Sequence, residues 1–504
     1  MSEANTLTEN FEDELVADEV SFDEVNEPTP HWARTKIVAT IGPACREPHM
    51  LAKLVRAGVD VFRLNMAHGK CNQHDQTIRD IRQISKTAKR PIGILVDLAG
   101  PKIRLGELQE EPIVCKEGDE FQFIRGTATP NSPTDLTSCY EPLIDELQVG
   151  NHVMLADGTV TMVVTGKEND AVQCKVIGPG QIRSRQGINL PGAKLSVPAM
   201  SEEDIENAVW ASLSGVDFIS LSFVRSPVEV RDLKNIVADN GSQALVIAKI
   251  EKPEAIESLD DIVQAADGIM VARGDLGVEI DVAQMPVEQK RIVDTCTKFG
   301  RPVIVATQML DSMQHASRPT RAEATDVANA ILDGADACML SGETAVGDFP
   351  VESVEMMNRI MLSTEKLIND RWRPAPSPRE HNQVCKITSS VVYASGRIAN
   401  FLDAKLVFVA TRTGNTAIAK AKQRDFIPTI AVSDNPAVLR QLTLFWGIDP
   451  IESTSGYADQ QLVEFINDWG RKNRDLVSGD KIVIVGVTGD HQTAHNSLMV
   501  HEIE

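Results

Sequence analysis

The chain lacks several features that would have set its class at once. Its eight cysteines, Cys45, Cys71, Cys115, Cys139, Cys174, Cys296, Cys338 and Cys385, include no CxxC pair and no Cys/His spacing suited to zinc. A disulfide framework and a zinc ribbon are excluded, and the thiols read as reduced. No apolar run approaches the roughly 20 residues that span a bilayer. The opening MSEANTLTENFEDELVADEV has neither a basic n-region nor an apolar h-region, so a cytoplasmic protein is expected. Basic charge is also short: the net charge of −22 would repel nucleic acid and anionic membrane, which require clustered Lys and Arg. Any phosphate must therefore be met by local basic residues.

What is present suits a large globular enzyme. With 504 residues, 42% apolar and 24% charged, about three domains are expected. Residues 1–30 hold ten Asp or Glu and no Lys or Arg, which makes them an acidic tail too polar to fold alone. From residue 36, eight β-branched runs alternate with helical stretches: 36–42, 59–66, 91–98, 217–223, 244–251, 267–275, 302–309 and 337–344. Near-continuous apolar strands alternating with helices imply a parallel sheet, and eight of them a closed (β/α)8 TIM barrel over 31–106 and 194–370.

The rhythm breaks between 107 and 193. Short strands with turn signals at Asp157-Gly158 and GKEND replace helices there, as expected for an inserted all-β lid, read as a β-barrel. The proline-rich RWRPAPSPRE (371–380) reads as a linker into a C-terminal α/β unit over 371–504, with strands near 404–411, 429–433 and 480–488.

Active sites of such barrels lie at the C-terminal strand ends. Here these ends read RLNMAHG (63–69), DLAGPKIR (97–104), KIE (249–251), ARGDLG (272–277), ATQML (306–310) and SGETA (341–345). Glu251 and Asp275 end neighbouring strands and make a hard-oxygen pair suited to Mg2+ or Mn2+, with a structural network as the alternative. Lys249 lies on the same side as Glu251, where a cation would hold a phosphoryl group and an enolate oxygen. Thr307 and Ser341 offer hydroxyls that could equally be helix caps. Arg63 and Arg104 bring fixed positive charge, for phosphate or for surface ion pairs. In the C-terminal unit TRTGNTA (411–417) follows a strand and opens a helix, as either a phosphate cradle or a plain turn.

RLNMAHG, DLAGPKIR, KIE, MVARGDLGVEI, ATQML, RPTRAEATDVANAILDGADACMLSGETA and GINLPG together resemble segments of pyruvate kinases, in the same order, from about residue 34 to the C-terminus. The resemblance implies a glycolytic transferase that moves phosphate from phosphoenolpyruvate to ADP, yielding ATP, as a homotetramer under possible control by a phosphorylated metabolite. Glu251 and Asp275 would ligate the divalent metal, Lys249 would stabilise the transition state, and Arg63 would grip the transferred phosphate. The Gly274 and Asp275 backbone with Thr307 would take the substrate carboxylate. Thr307 and Ser341 would deliver a proton to the enolate. Asn65, His68, Arg104 and the lid's Asp157 would line the nucleotide side, and Thr411, Thr413, Gly414, Asn415 and Thr416 an effector loop.

Two departures matter. Relatives that need K+ ligate it with oxygen side chains, of which Asn65 and Asp97 survive while Ala67 and Leu98 stand at the others; Lys102 replaces a usual Glu, as in the K+-independent branch. Gln186 stands where a Lys is thought to meet nucleotide phosphate, with Arg185 beside it, facing the other way if the stretch is extended. A metal-dependent lyase or aldolase and a non-catalytic metabolite sensor are the rival readings. A lid over a nucleotide argues against the first, and intact chemical positions against the second.

Overall fold

The computed structural model describes residues 32–126, 130, 132–156, 158–193, 196–371, 377–379, 384–453, 459–486 and 497–504. The acidic stretch 1–30, much of the proline-rich linker and Asp157 lie outside them.

Eight parallel strands close into a barrel: Lys36–Thr40, Val61–Asn65, Gly93–Asp97, Phe218–Leu221, Leu245–Ile250, Gly268–Ala272, Val303–Ala306 and Ala337–Leu340. Each lies within one of the eight runs and stops short of the run's end. Residues 273–275 and 342–344, at the ends of two of these runs, open the helices Arg273–Glu279 and Gly342–Ala345 instead. Alternate strand residues belong to two different buried sets, as a two-residue period requires. Val38, Val61, Leu95, Phe218, Ile247, Met270, Ile304 and Met339 form one, inside the barrel. Ile37, Phe62, Ile94, Ile219, Val246, Ile269 and Val303 belong to the other, against the helices.

At the opposite mouth a repeated device closes the barrel. Asp60, Asp217, Asp267 and Asp336 each stand just before a strand and accept the backbone N–H of a neighbouring strand's Ile37, Ile94, Val246 or Val303, at 2.8–3.0 Å. These carboxylates need counter-charges. Two are met partly from the C-terminal unit, where Arg440 reaches Asp217 at 2.7 Å and Lys422 reaches Asp336 at 2.7 Å. That unit is therefore docked on the face away from the strand C-termini.

The insertion is an open six-stranded sheet, in the order 188–189, 152–155, 160–167, 171–178, 120–124, 135–136, with a two-stranded ribbon of 113–115 and 180–182. It differs from the expected β-barrel because its edge strands have only two residues each, too few to pair with one another and close. One helical turn, Leu143–Glu146, interrupts it. Among the described residues the C-terminal sheet has five strands, not three: Leu406–Ala410, Thr429–Ser433 and Lys481–Gly486 are joined by Ile448–Glu452 and an antiparallel edge, Ser497–Glu502. Sequence reading missed these two because half-exposed, charge-bearing edge strands break the apolar pattern.

Candidate active site

Two residues above the buried inner layer, the same inward side of each strand carries Thr40, Arg63, Asp97, Ser220 and Lys249. Asp97 is the hub and is 1% exposed. It accepts from Arg63 Nε at 2.7 Å and from Ser220 Oγ at 2.6 Å, and Lys249 Nζ lies 3.4 Å away. Arg63 Nη1 also donates to Thr40 Oγ1 at 3.1 Å. Burial alone would push the Asp97 carboxyl up, but the adjoining Lys249 and Arg63 charges outweigh it and hold it below the usual range. Lys249 is raised in turn: burial opposes its charge, and Asp97 and Glu251 more than restore it. Its ammonium also donates to Ser222 Oγ at 2.8 Å and lies 3.0 Å from Glu251 Oε1. Thr40, Ser220 and Ser222 were not picked out in the sequence. For Thr40 and Ser220 the signal was there in their registration two residues beyond the core positions Val38 and Phe218.

Glu251 directly follows the fifth strand and is 1% exposed. Its Oε2 accepts the Phe223 N–H at 2.6 Å, from a residue whose φ of +53° is a strained, left-handed conformation. Its Oε1 is buried and has no hydrogen-bond partner, only the Lys249 charge 3.0 Å away. Burial pushes the Glu251 carboxyl up, Lys249 pulls it back, and the nearby Asp275 charge adds to the rise. Asp275 sits in the first turn of the helix Arg273–Glu279 and lies 3.7 Å from Lys102 Nζ. Among the described residues no three acidic, His or Cys side chains converge. Glu251 and Asp275 are the two carboxylates that approach one another here, near enough for the Asp275 charge to act on Glu251.

Thr307 follows the seventh strand with φ +70°, and Gln308 follows with φ +53°. Two consecutive residues in this region cost free energy and persist only where their surroundings hold them. Arg273 does so, donating to the Thr307 carbonyl at 2.8 Å while pairing with Asp326 at 2.6 Å. Asp326 belongs to the RPTRAEATDVANA helix, which gives that motif a local purpose. Thr307 Oγ1 accepts the Gly274 N–H at 2.7 Å and donates to the Ala306 carbonyl at 2.6 Å. The Gly274 N–H, expected with Thr307 to receive the substrate carboxylate, is taken up by the Thr307 hydroxyl. Ser341 donates its N–H to Glu343 at 2.7 Å, and Glu343 accepts the Leu310 N–H at 3.0 Å, tying the last two strand ends together.

Toward the lid, Lys102, Arg104, Arg183, Ser184, Arg185 and Gln186 line an open cleft, a basic surface on an acidic protein. Arg104 donates to the Arg185 carbonyl at 3.1 Å. Residues 184–185 form a turn with Arg185 at φ +63°, so the extended-strand argument about its direction does not apply. Its guanidinium pairs with Glu107 at 2.5 Å, while Gln186 accepts the Arg183 N–H at 2.7 Å. Asn65 Oδ1 accepts the Ala67 N–H at 3.2 Å, and His68 is exposed. In the C-terminal unit the Gly414 N–H donates to Thr411 Oγ1 at 3.0 Å ahead of the helix Asn415–Lys422, at a φ of +83° that favours glycine. Thr413, Gly414 and Asn415 face a cleft shared with Asp267 and Arg301 of the barrel. Thr416 lies in the first turn of that helix.

Residues 32–354 match the family model described as pyruvate kinase, barrel domain, and residues 389–501 the one described as pyruvate kinase, alpha/beta domain. A curated relative from Mycobacterium intracellulare, named pyruvate kinase, is 41% identical over 475 residues, covering 93% of this chain and 98% of its own. Pyruvate kinase 2 of Synechocystis is 41% identical over 91% of this chain and 77% of its own. A crystal structure of a pyruvate kinase from Cryptosporidium parvum superposes with a TM-score of 0.85 at 32% identity, covering 94% of this chain and 96% of its own.

Proposed function

The chain belongs to the pyruvate kinase family and transfers the phosphoryl group of phosphoenolpyruvate to ADP, giving pyruvate and ATP; from that premise we propose which of its groups act. The observation that carries the assignment is the buried Lys249 ammonium, held charged between Asp97 and Glu251 at the barrel mouth.

Family members are generally Mg2+-dependent, and the donors here fit such an ion. Glu251 Oε1 is a buried carboxylate oxygen lacking a hydrogen bond, with Asp275 near enough to raise its proton affinity. Both are the hard oxygen ligands that Mg2+ or Mn2+ takes. The bound ion supplies charge neutralisation for phosphate and enolate oxygens. Lys249 meets the charge that develops on the transferring group, and Arg63, fixed by Thr40 and Asp97, orients the phosphate. Thr307 and the Gly274–Asp275 backbone receive the substrate carboxylate, which must displace the Thr307–Gly274 hydrogen bond. Thr307 and Ser341 pass a proton toward the enolate carbon through water. Asn65, His68 and Arg104 face the nucleotide; Asp157, expected beside them, lies outside the described residues. We assign the assembly as a homotetramer. Among the described residues no helix is long and apolar enough to cross a membrane.

Pyruvate release coupled to lactate dehydrogenase tests the reading against its rivals. Formation should depend on ADP as well as phosphoenolpyruvate. A lyase would release product without ADP, and a sensor would release none.

The monovalent ion gives a further expectation. Lys102 brings a cation beside the metal-side carboxylate Asp275, and Ala67 and Leu98 supply no side-chain oxygen. A K+ ion 4 Å from that ammonium would meet about 4 kcal/mol of repulsion at an effective dielectric near 20. Activity should therefore be complete with a bulky tetraalkylammonium as the only monovalent cation. Lys102→Glu should cripple the enzyme, with partial rescue by K+. Strong activation of the parent by K+ would refute this role.

For the C-terminal loop we assign phosphorylated-metabolite binding to Thr411, Thr413, Gly414, Asn415 and Thr416, supported by a glycine turn opening a helix N-terminus. Thr411→Ala with Thr413→Ala should remove activation by sugar phosphates or nucleoside monophosphates and leave the maximal rate unchanged. If no such metabolite shifts the parent's substrate curve, the loop is structural.

A further inference from the structure

Where lid and barrel meet, three elements gather around one buried ion pair that has no part in the roles assigned above. Lys252, the residue after Glu251, places Nζ 2.5 Å from Glu279 Oε1, with the side chains 16% and 2% exposed. Glu279 is the last residue of the short helix that carries Asp275 one turn earlier. From the lid, Asn189 Nδ2 approaches the same Glu279 oxygen at 3.4 Å, while its own buried Oδ1 accepts no hydrogen bond. Lys252 Nζ also lies 5.9 Å from the ring centroid of Phe223, whose N–H holds Glu251.

A buried ion pair is a weak stabiliser, because desolvating both charges offsets most of their attraction. Its geometry here suggests another purpose. Glu251 and Asp275 come from different strand ends: Glu251 follows the strand Leu245–Ile250, and Asp275 lies in the helix after the next strand. The helix between Arg273 and Glu279 has only seven residues, too few to hold its place alone. Its start is fastened by Arg273 to Asp326 and by Gly274 to Thr307. Its end is fastened by Glu279 to Lys252, which adjoins Glu251 itself.

We propose that Lys252 and Glu279 are positioning residues, whose ion pair fixes the separation of the Glu251 and Asp275 carboxylates before a divalent ion binds. The inference rests on the reading of those two carboxylates as metal ligands. Groups that orient ligands from behind typically change metal affinity by 10–100-fold when removed.

The test is Mn2+ binding to the full-length protein without substrates, read from the electron paramagnetic resonance signal of free Mn2+. Glu279→Gln and Lys252→Met should each raise the Kd about tenfold or more. Activity lost at low Mn2+ should return at high Mn2+, and Lys252→Arg should keep most of the affinity. Lys252→Met leaves a buried carboxylate unpaired and can fail to fold. The double variant Lys252→Met with Glu279→Gln removes both charges and should show the same weakening. A Kd within about twofold of the parent in Glu279→Gln and in the double variant, against an expected change of at least tenfold, would overturn the inference. Glu251→Ala separates the two levels. If it abolishes Mn2+ binding while Glu279→Gln binds normally, only the positioning role fails; if it binds Mn2+ as the parent does, the metal assignment fails with it.

Discussion

Lys249→Met lowers kcat by about 10³-fold, at the upper end of what one charge aimed at a developing oxyanion contributes. The argument begins with burial. An isolated lysine in this position would lose its proton, yet Asp97 at 3.4 Å and Glu251 at 3.0 Å keep Lys249 charged. A cation held in a desolvated mouth without having to reorganise acts most strongly where charge appears only in the transition state. The loss should therefore fall on kcat more than on KM for phosphoenolpyruvate. Both former partners keep other donors: Asp97 has Arg63 and Ser220, and Glu251 has the Phe223 N–H. The fold should survive, as thermal unfolding would show. Turnover near the parent's would contradict the assignment.

Glu251→Ala should nearly abolish Mg2+-dependent turnover, and Asp275→Ala should cut it steeply while leaving a larger residual metal response. A bound divalent ion contributes several kcal/mol to stabilising a phosphoryl transition state, or roughly 10³-fold in rate. The order follows from exposure. Glu251 is buried with an oxygen that accepts no hydrogen bond, so nothing replaces it. Asp275 has a side chain 28% exposed, where water can take its place. Initial rates across a Mg2+ titration decide the matter, and an unchanged titration in both variants would remove the proposed metal site.

Much of this was legible in the sequence because the barrel imposes strict periods. Eight apolar runs located eight strands, and the polar residues ending them located the mouth. The conformations were not legible. Nothing in the letters at Phe223, Thr307 or Gln308 announces a positive φ, since that strain is imposed by Glu251 and Arg273 from other strands. Nor does the sequence show that Lys102 lies by Asp275 while Asp97 is held by Arg63 and Lys249, because these contacts join residues far apart in the chain. The direction of Arg185 was not legible for a local reason: the strand period holds only for extended chain, and Arg185 stands in a turn. The aspartates before strands at the opposite mouth carried a repeated signal that becomes readable only once the strand order is known.

The most direct measurement follows phosphorus itself. A 31P NMR time course of the full-length protein with phosphoenolpyruvate, ADP and Mg2+ should show the phosphoenolpyruvate resonance decaying as the γ-phosphate of ATP grows in equal amount, with Lys249→Met slower by about 10³-fold under the same conditions. Decay to inorganic phosphate without ATP, or equal rates in parent and variant, would contradict phosphoryl transfer at the Lys249 site.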